Sequence, residues 1–472
     1  MRKGAAAVLA VALLGGCRQL APPHVRPGLP IPEAYPVESA GAETAGTPAF
    51  EIGWRDFFED PRLEALIAAA LENNRDLAIS VAQIEQARGF YRIQDADRLP
   101  VAALGGDASR SRLGGETIDR FAIDVGVSVF ELDFWGRVRN LSEAARSEFL
   151  ATVEAERAFR LSLIREVAAT YLLSLEAAER IELAEATMQS RGEGLRIAKV
   201  RLDAGITSAL DFRQAESLLT QAETELAGLR LAKARNDNAL AVLVGGPVAG
   251  ALPDALPLAR QVSPVTLAAG LPSALLAARP DILAAEERLR AARADIGAAR
   301  AAFFPSIALT GNLGFASAEL GDLVGSDGLT WSFGPSITLP IFNRGRLRGN
   351  LTVTEANERI AIAGYERAIQ TAFREVADAL AGRRYLAEQV AAQERGTLAQ
   401  RQIAELARIR YREGAVGYIE VLDSERNLFA AEQALLQLRR AEVDNLVALY
   451  VVLGGGVIEE SQAEARVGFR LR

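Results

Sequence analysis

The amino-acid sequence predicts an α+β membrane protein of long antiparallel helical hairpins and four β-strands of membrane-crossing length, with the whole pattern occurring twice along the chain. Three observations carry this reading. Blocks of sequence recur at a nearly constant offset, the hydrophobic period switches between helix and strand within each block, and residues that support metal or nucleophilic chemistry are almost absent. The 472 residues include one cysteine and one histidine, Cys17 and His24, both ahead of the expected folded body. A disulfide, a Cys/His zinc site, a Ser-His-Asp triad and a Cys-His pair are thereby excluded from that body, and no catalytic residue, cofactor or metal ligand is expected. The glycine runs Leu104-Gly105-Gly106 and Gly454-Gly455-Gly456 lack a following Lys-Ser/Thr, so neither is a phosphate loop. A net charge of −8 removes the basic footprint of a nucleic-acid binder, and no nucleic-acid partner is expected.

From the N-terminus, Arg2-Lys3 and the apolar run Ala5 to Leu14 have the form of a secretory signal, too short to span a bilayer. The run ends Leu14-Gly15-Gly16-Cys17, which resembles the lipobox of bacterial lipoproteins and makes Cys17 the expected site of acylation, palmitate included. Arg18 after the cysteine, where an aspartate would signal inner-membrane retention, implies transfer to the Gram-negative outer membrane. Seven of the 18 prolines fall in residues 18–49, a composition that favours extended chain and reads as a tether.

The repeat governs everything after it. Gly136-Arg137-Val138-Arg139 recurs as Gly345-Arg346-Leu347-Arg348, and Arg165-Glu166-Val167-Ala168 as Arg374-Glu375-Val376-Ala377, both at an offset of 209. Asp76 to Pro100 matches Asp281 to Pro305 at an offset of 205, so the four-residue difference falls in a loop between Pro100 and Gly136. The expected division is a signal peptide over 1–16, an acylated tether over 17–50, a first repeat over 51–246, a connector over 247–270, a second repeat over 271–456 and a tail over 457–472.

Within each repeat, helices over 76–99 and 281–303 stop at Pro100 and Pro305. Alternating strands follow: about 101–111 by homology with 306–316, then Phe121, Ile123, Val125, Val127 and Val129 against Ala122, Asp124, Gly126 and Ser128, and in the second repeat Trp331, Phe333, Ile337 and Leu339 against Thr330, Ser332, Gly334 and Ser336. Proline-free stretches over 137–203 and 344–412 predict helices of about 100 Å at 1.5 Å per residue. Return helices over 206–245 and 415–454 start after Gly205 and Gly414, which read as C′ glycines. Residues 76–99 and 206–245 together nearly match the length of 137–203, so two shorter helices stacked end to end would run beside one long helix.

Four strands of about 10 residues suit a tilted bilayer crossing, but four cannot close. An open edge in lipid leaves backbone groups unsatisfied, so other copies must complete the barrel, eight strands from two chains or twelve from three. Trp135, Trp331 and Phe342 stand where aromatic girdles would lie. Arg137 and Arg346, with Arg139 and Arg348, open the long helices, where the dipole disfavours cations; lipid headgroups, a carboxylate of an adjoining protomer or simple solvation are the expected partners.

Ala278-Arg279-Pro280-Asp281-Ile282, the run from Ala299 to Ser306, Leu339-Pro340-Ile341-Phe342, and Tyr411-Arg412 with Gly414 followed by Val421-Leu422-Asp423 together resemble the TolC-like outer-membrane efflux proteins, in the lipoprotein branch that serves resistance-nodulation-division pumps. The resemblance covers about 50–456. It implies a homotrimer with a twelve-stranded β-barrel in outer-membrane lipid, a periplasmic α-barrel, and an equatorial belt from 54–75, 246–276 and 455–472. Its implied work is passive conduction of drugs or toxic solutes from an inner-membrane pump and a periplasmic adaptor to the exterior, without enzymatic chemistry. The turns at 204–211 and 413–420 would meet the adaptor, with Gly205, Thr207, Ser208, Asp211, Gly414 and Gly417 as contact residues; Thr207 or Ser208 also has the position of a helix cap, with Asp211 completing a capping box. Glu420 and Asp423 match the acidic positions that ring the closed aperture, while also sitting where a helix dipole favours acids. Val416 replaces an arginine that latches the tip in some relatives. A type I protein-secretion duct and a lipid-anchored helical scaffold without a pore are the competing readings.

Overall fold

The computed structural model describes residues 20–32, 34–35, 46–247, 251–263, 267–268 and 279–459. The expected signal peptide, Cys17 and most of the expected C-terminal tail lie outside the described residues. The chain divides into two compact units, each drawing segments from both repeats: one holds the N-terminal stretch to Leu29 with Val81–Ala155 and Asp281–Ala368, the other Pro30–Ser80, Glu156–Pro280 and Ile369–Arg472.

The elements in chain order are β1 (Thr47–Pro48), α1 (Trp54–Phe57), α2 (Pro61–Asn73), α3 (Arg75–Ala96), β2 (Ala102–Leu113), β3 (Glu116–Glu131), α4 (Arg137–Asp203), α5 (Ala209–Val244), β4 (Leu267–Ala268), α6 (Pro280–Ala301), β5 (Ser306–Ser317), β6 (Leu329–Thr338), α7 (Arg346–Arg412) and α8 (Tyr418–Val452). Both long helices have 67 residues. Helix, strand, strand, long helix and return helix thus follow in the same order twice.

The first unit carries a four-stranded antiparallel sheet in the order β2-β3-β5-β6. β2 and β3 are longer than the alternation alone predicts because they meet at a two-residue turn, with Leu113 paired to Glu116. Gly114 and Gly115 have φ of +61° and +94°, as the tight hairpin turn requires, and glycine reaches these angles without steric cost. Leu104, Val125, Leu313 and Trp331 are register partners across all four strands, and all four side chains are exposed. The next row, on the other face, is Ala103, Gly126, Asn312 and Ser332, small or polar throughout. The sheet therefore turns one apolar face and one polar face outward from the chain.

The proline-rich segment is not a free tether over its described length. Residues 20–29 lie along α6, where Arg300 donates to the Leu20 carbonyl (3.1 Å) and Arg293 to the Val25 carbonyl (2.9 Å). His24 joins Glu286 through Nε2 (3.0 Å) and Arg293 through Nδ1 (3.2 Å), and Arg26 donates to Glu286 (3.0 Å). Burial pushes the Glu286 carboxyl up, but hydrogen bonds from Arg26 and His24 and the charge of Arg290 outweigh it and hold the group below the usual carboxylate range. His24 thus belongs to the folded body, contrary to the sequence expectation. An extended proline-rich chain still exposes carbonyls, and arginines at 293 and 300 collect them.

The second unit is centred on Asp60, which is fully buried. It caps α2 by accepting from the Arg62 amide (2.9 Å), and also accepts from Tyr171 Oη (2.6 Å), Gln261 Nε2 (2.9 Å) and the Leu256 amide (3.1 Å). Phe57 stacks on Tyr450 at 4.0 Å, and Tyr450 Oη donates to the Ile52 carbonyl (2.7 Å). Thr47–Pro48 pairs in parallel with Leu267–Ala268, so ordered structure here begins ahead of residue 51. The end of α5 abuts the start of α3, where Asn74 Nδ2 donates to the Leu243 carbonyl (2.8 Å) while Asn74 Oδ1 caps α3 through the Leu77 amide. At the equivalent place in the second half, Arg279 donates to the Val452 carbonyl (3.3 Å) and to Glu375 (2.8 Å).

Candidate functional site at the helix turns

The second unit contains both turns that the sequence singles out. α4 ends as the Gly205 amide bonds the Leu202 carbonyl (2.9 Å) and the Ile206 amide bonds the Arg201 carbonyl (2.8 Å), with Gly205 at φ +72°. α7 ends identically: Gly414 to Tyr411 (3.1 Å), Ala415 to Arg410 (2.8 Å), φ +73°. This double closure satisfies the last carbonyls of each helix and needs a left-handed residue at its centre. The next residues differ. Ser208 accepts from the Asp211 amide (3.2 Å) and Asp211 accepts from the Ser208 amide (3.3 Å), a full capping box, with Thr207 Oγ1 also donating to Asp211 (2.6 Å). The Thr207 hydroxyl, followed by the Ser208 amide and hydroxyl, holds the Asp211 carboxyl below the usual aspartate range. At α8 the capping position is Gly417, which has no side chain to offer.

That difference decides where the arginines go. Arg201 and Arg410 are repeat equivalents, as are Asp211 and Glu420. Asp211 is engaged in its cap, and Arg201 donates instead to Tyr411 Oη and lies over the Tyr411 ring at 5.0 Å. Glu420 has no cap to complete and accepts from Arg410 (2.5 Å). Asp423 pairs with Arg426 at 2.9 Å. Each of these two carboxylates therefore carries an arginine of its own chain, a partner that the sequence reading did not name. Tyr411 and Tyr418 lie 5.0 Å apart, and burial pushes the Tyr418 hydroxyl up to about 12. Sequence reasoning left Arg201, Arg410 and Arg426 out of the site. The 209-residue offset pairs Arg201 with Arg410 and was the available signal.

The residues assigned to the membrane interface lie in the first unit. Trp331 is 71% and Phe342 84% exposed. Trp135 is half-buried, stacked on Phe304 at 4.7 Å with Nε1 donating to the Pro305 carbonyl (2.9 Å), so it fastens the end of β3 to the start of β5. Arg137 is bonded to Glu131 at 2.9 and 2.5 Å, a partner within its own chain that the sequence reading did not name: the last residue of β3 neutralises the cation at the helix start. Arg346, its repeat equivalent, is exposed. Among the described residues no helix is long and apolar enough to cross a membrane, and no group of acidic, histidine or cysteine side chains has the spacing of a metal site.

A sheet with an exposed apolar face, two 67-residue helices and paired helix turns define an outer-membrane channel of the efflux type. The family profile described as "Outer membrane efflux protein" matches residues 66–246 and again 271–455, and the chain belongs to that family. Among its relatives, the cation efflux system protein CusC of Escherichia coli O6:H1 is 40% identical over 448 residues, covering 94% of this chain and 96% of CusC. The solvent efflux pump outer membrane protein SrpC of Pseudomonas putida is 41% identical over 461 residues, covering 95% and 97%. The crystal structure of the open state of the MtrE outer membrane channel of Neisseria gonorrhoeae superposes with a TM-score of 0.88 at 38% identity, covering 94% of this chain and all of that one. The protein is an outer-membrane efflux channel of a Gram-negative cell.

Proposed function

We propose that three copies of this chain close a twelve-stranded barrel in the outer membrane and form a passive duct for small toxic solutes, fed by an inner-membrane pump of the resistance-nodulation-division type through a periplasmic adaptor. The observation that carries this reading is the four-stranded sheet, whose outer strands β2 and β6 each have one edge without a strand partner among the described residues. In lipid such edges cost several kcal/mol for each unsatisfied group, and pairing β6 of one copy with β2 of the next removes them. The row Leu104, Val125, Leu313 and Trp331 faces lipid in this arrangement, and the small polar row lines water.

The turns around Gly205 and Gly414 are the adaptor-facing surface in this reading, with Thr207, Ser208, Asp211 and Gly417 beside them, and Glu420 and Asp423 form the aperture. Exposed Trp331 and Phe342 sit at the membrane interfaces, and Cys17 carries the acyl anchor. CusC is named for cations and SrpC for solvents at nearly equal identity to this chain, which fits a duct whose cargo the pump selects. Purified protein in detergent is expected to be trimeric by light scattering and to give discrete conductance steps in planar bilayers. A monodisperse monomer with full β-content, or a trimer without conductance, refutes the proposal.

A further inference from the structure

The junction between β3 and α4, in the first unit, holds a carboxylate with one oxygen unused. Asp133 Oδ2 accepts from the Arg139 amide (2.7 Å), which satisfies a backbone donor in the first turn of α4. Its Oδ1 is buried and has no hydrogen-bond partner among the described residues. A carboxylate oxygen shut away from water normally has a donor, so this one calls for a partner that the chain itself does not provide. The adjacent arginines are engaged elsewhere: Arg137 bonds Glu131 (2.9 Å) and Arg98 pairs with Asp95 (3.0 Å).

Asp133 lines a groove of about 370 Å³, a volume of the order that holds small ligands. Phe130, Leu132 and Phe134 give it an apolar wall, and Arg98, Glu131 and Arg139 complete its charged lining. Two arginines stand against two carboxylates, so the lining is balanced. A simple anion or a simple cation would upset that balance, whereas a ligand with one charge of each sign preserves it. We propose that the groove binds the head of a phosphatidylethanolamine molecule from the surrounding membrane. Its ammonium sits on Asp133 Oδ1, its phosphate at Arg98 and Arg139, and the start of its acyl chains on the phenylalanines. The ammonium brings N–H donors to the unused oxygen, and a guanidinium can bond two phosphate oxygens at once. The Arg98 side chain is 53% exposed and its pair with Asp95 is screened by solvent, so it is open to a phosphate. The inference rests on the duct reading, which puts the end of β3 at the periplasmic face of the membrane, where lipid heads lie. Trp135, two residues beyond Asp133, is of the type that settles at that depth.

The test uses the full-length protein in detergent, titrated with short-chain phosphatidylethanolamine, phosphatidylcholine and phosphatidylglycerol and followed by native mass spectrometry. Phosphatidylethanolamine is expected to bind at one site per chain, about tenfold more tightly than phosphatidylcholine, whose trimethylated nitrogen has no N–H for Asp133. Phosphatidylglycerol, with a phosphate and no cation, should also bind more weakly. Asp133→Asn keeps a side-chain oxygen for the Arg139 amide and should bring phosphatidylethanolamine down to the level of phosphatidylcholine. Arg98→Gln should weaken both lipids to a similar extent and leave the preference between them intact. If Asp133→Asn does not fold, the wild-type ranking and Arg98→Gln decide the matter. Equal binding of phosphatidylethanolamine and phosphatidylcholine by the wild type, tightest binding of phosphatidylglycerol, an unchanged preference in folded Asp133→Asn, or no effect of Arg98→Gln overturns the proposal. Trimer mass and conductance report on the duct and headgroup preference on the groove, so either reading can fail without the other.

Discussion

Replacing Arg410 with glutamine tests the proposed aperture by separating a paired charge from a bare acidic ring. Arg410 and Glu420 meet at 2.5 Å with side chains 55% and 43% exposed, so solvent screens the pair and its loss should cost less than about 1 kcal/mol of stability. The electrostatic consequence is larger than the structural one. In the trimer proposed above, Arg410→Gln uncovers three Glu420 carboxylates. A cation roughly 10 Å from each gains about 0.4 kcal/mol per carboxylate in water, hence about 1.2 kcal/mol for three, or close to tenfold local enrichment at low salt. Screening with a Debye length of about 10 Å at 0.1 M reduces this to about twofold. Reversal potentials in a potassium chloride gradient should therefore move toward cation selectivity in Arg410→Gln, and block by divalent cations should strengthen, both most clearly at low salt. Glu420→Gln leaves the arginine uncovered and should move both in the opposite direction. Thermal unfolding should hardly change in either. Equal shifts of the same sign in the two variants, or none in either, would remove this pair from the conducting path.

Three further outcomes are expected. Ser208→Ala should lower stability by about 0.5–2 kcal/mol by removing the α5 cap, and because the Asp211 carboxyl is held below its unfolded value, the stabilisation it contributes should be complete above about pH 4 and lost as pH falls through the lower folded value, a limb that Asp211→Asn should erase in acid-unfolding curves. Asp60→Asn should cost more than the cap variant, about 2–4 kcal/mol by chemical denaturation, because an amide nitrogen is set among four donors and leaves buried groups unsatisfied. Cys17→Ser should abolish acylation by mass spectrometry while exported protein remains in the outer-membrane fraction, since the barrel has its own lipid-facing surface; complete release from membranes would identify a tethered soluble body instead.

What the sequence determined by itself was everything set by local period and by covalent composition. The proline-free run from Arg137 to Asp203 and its equivalent ending at Arg412 are continuous helices, because good helix formers over that length leave nothing to interrupt the backbone ladder. Gly205 and Gly414 end those helices in the left-handed conformation that glycine adopts most readily. The Ser208 and Asp211 capping box was legible from spacing, and the absence of thiols and imidazoles beyond Cys17 and His24 bounded the chemistry from the start. The Gly114-Gly115 turn was equally local and was available as a signal for the longer β2 and β3.

Only the tertiary structure decided the partners of charged side chains. Arg137 reaches back six residues to Glu131, Arg410 crosses a turn to Glu420, and Arg201 is drawn to Tyr411 because its own acidic equivalent is spent on a cap. The docking of residues 20–29 on α6 depends on arginines more than 260 positions away. Helix and strand follow from groups a few residues apart, whereas an ion pair is chosen among every charge that folding brings within a few ångströms, which no local pattern records.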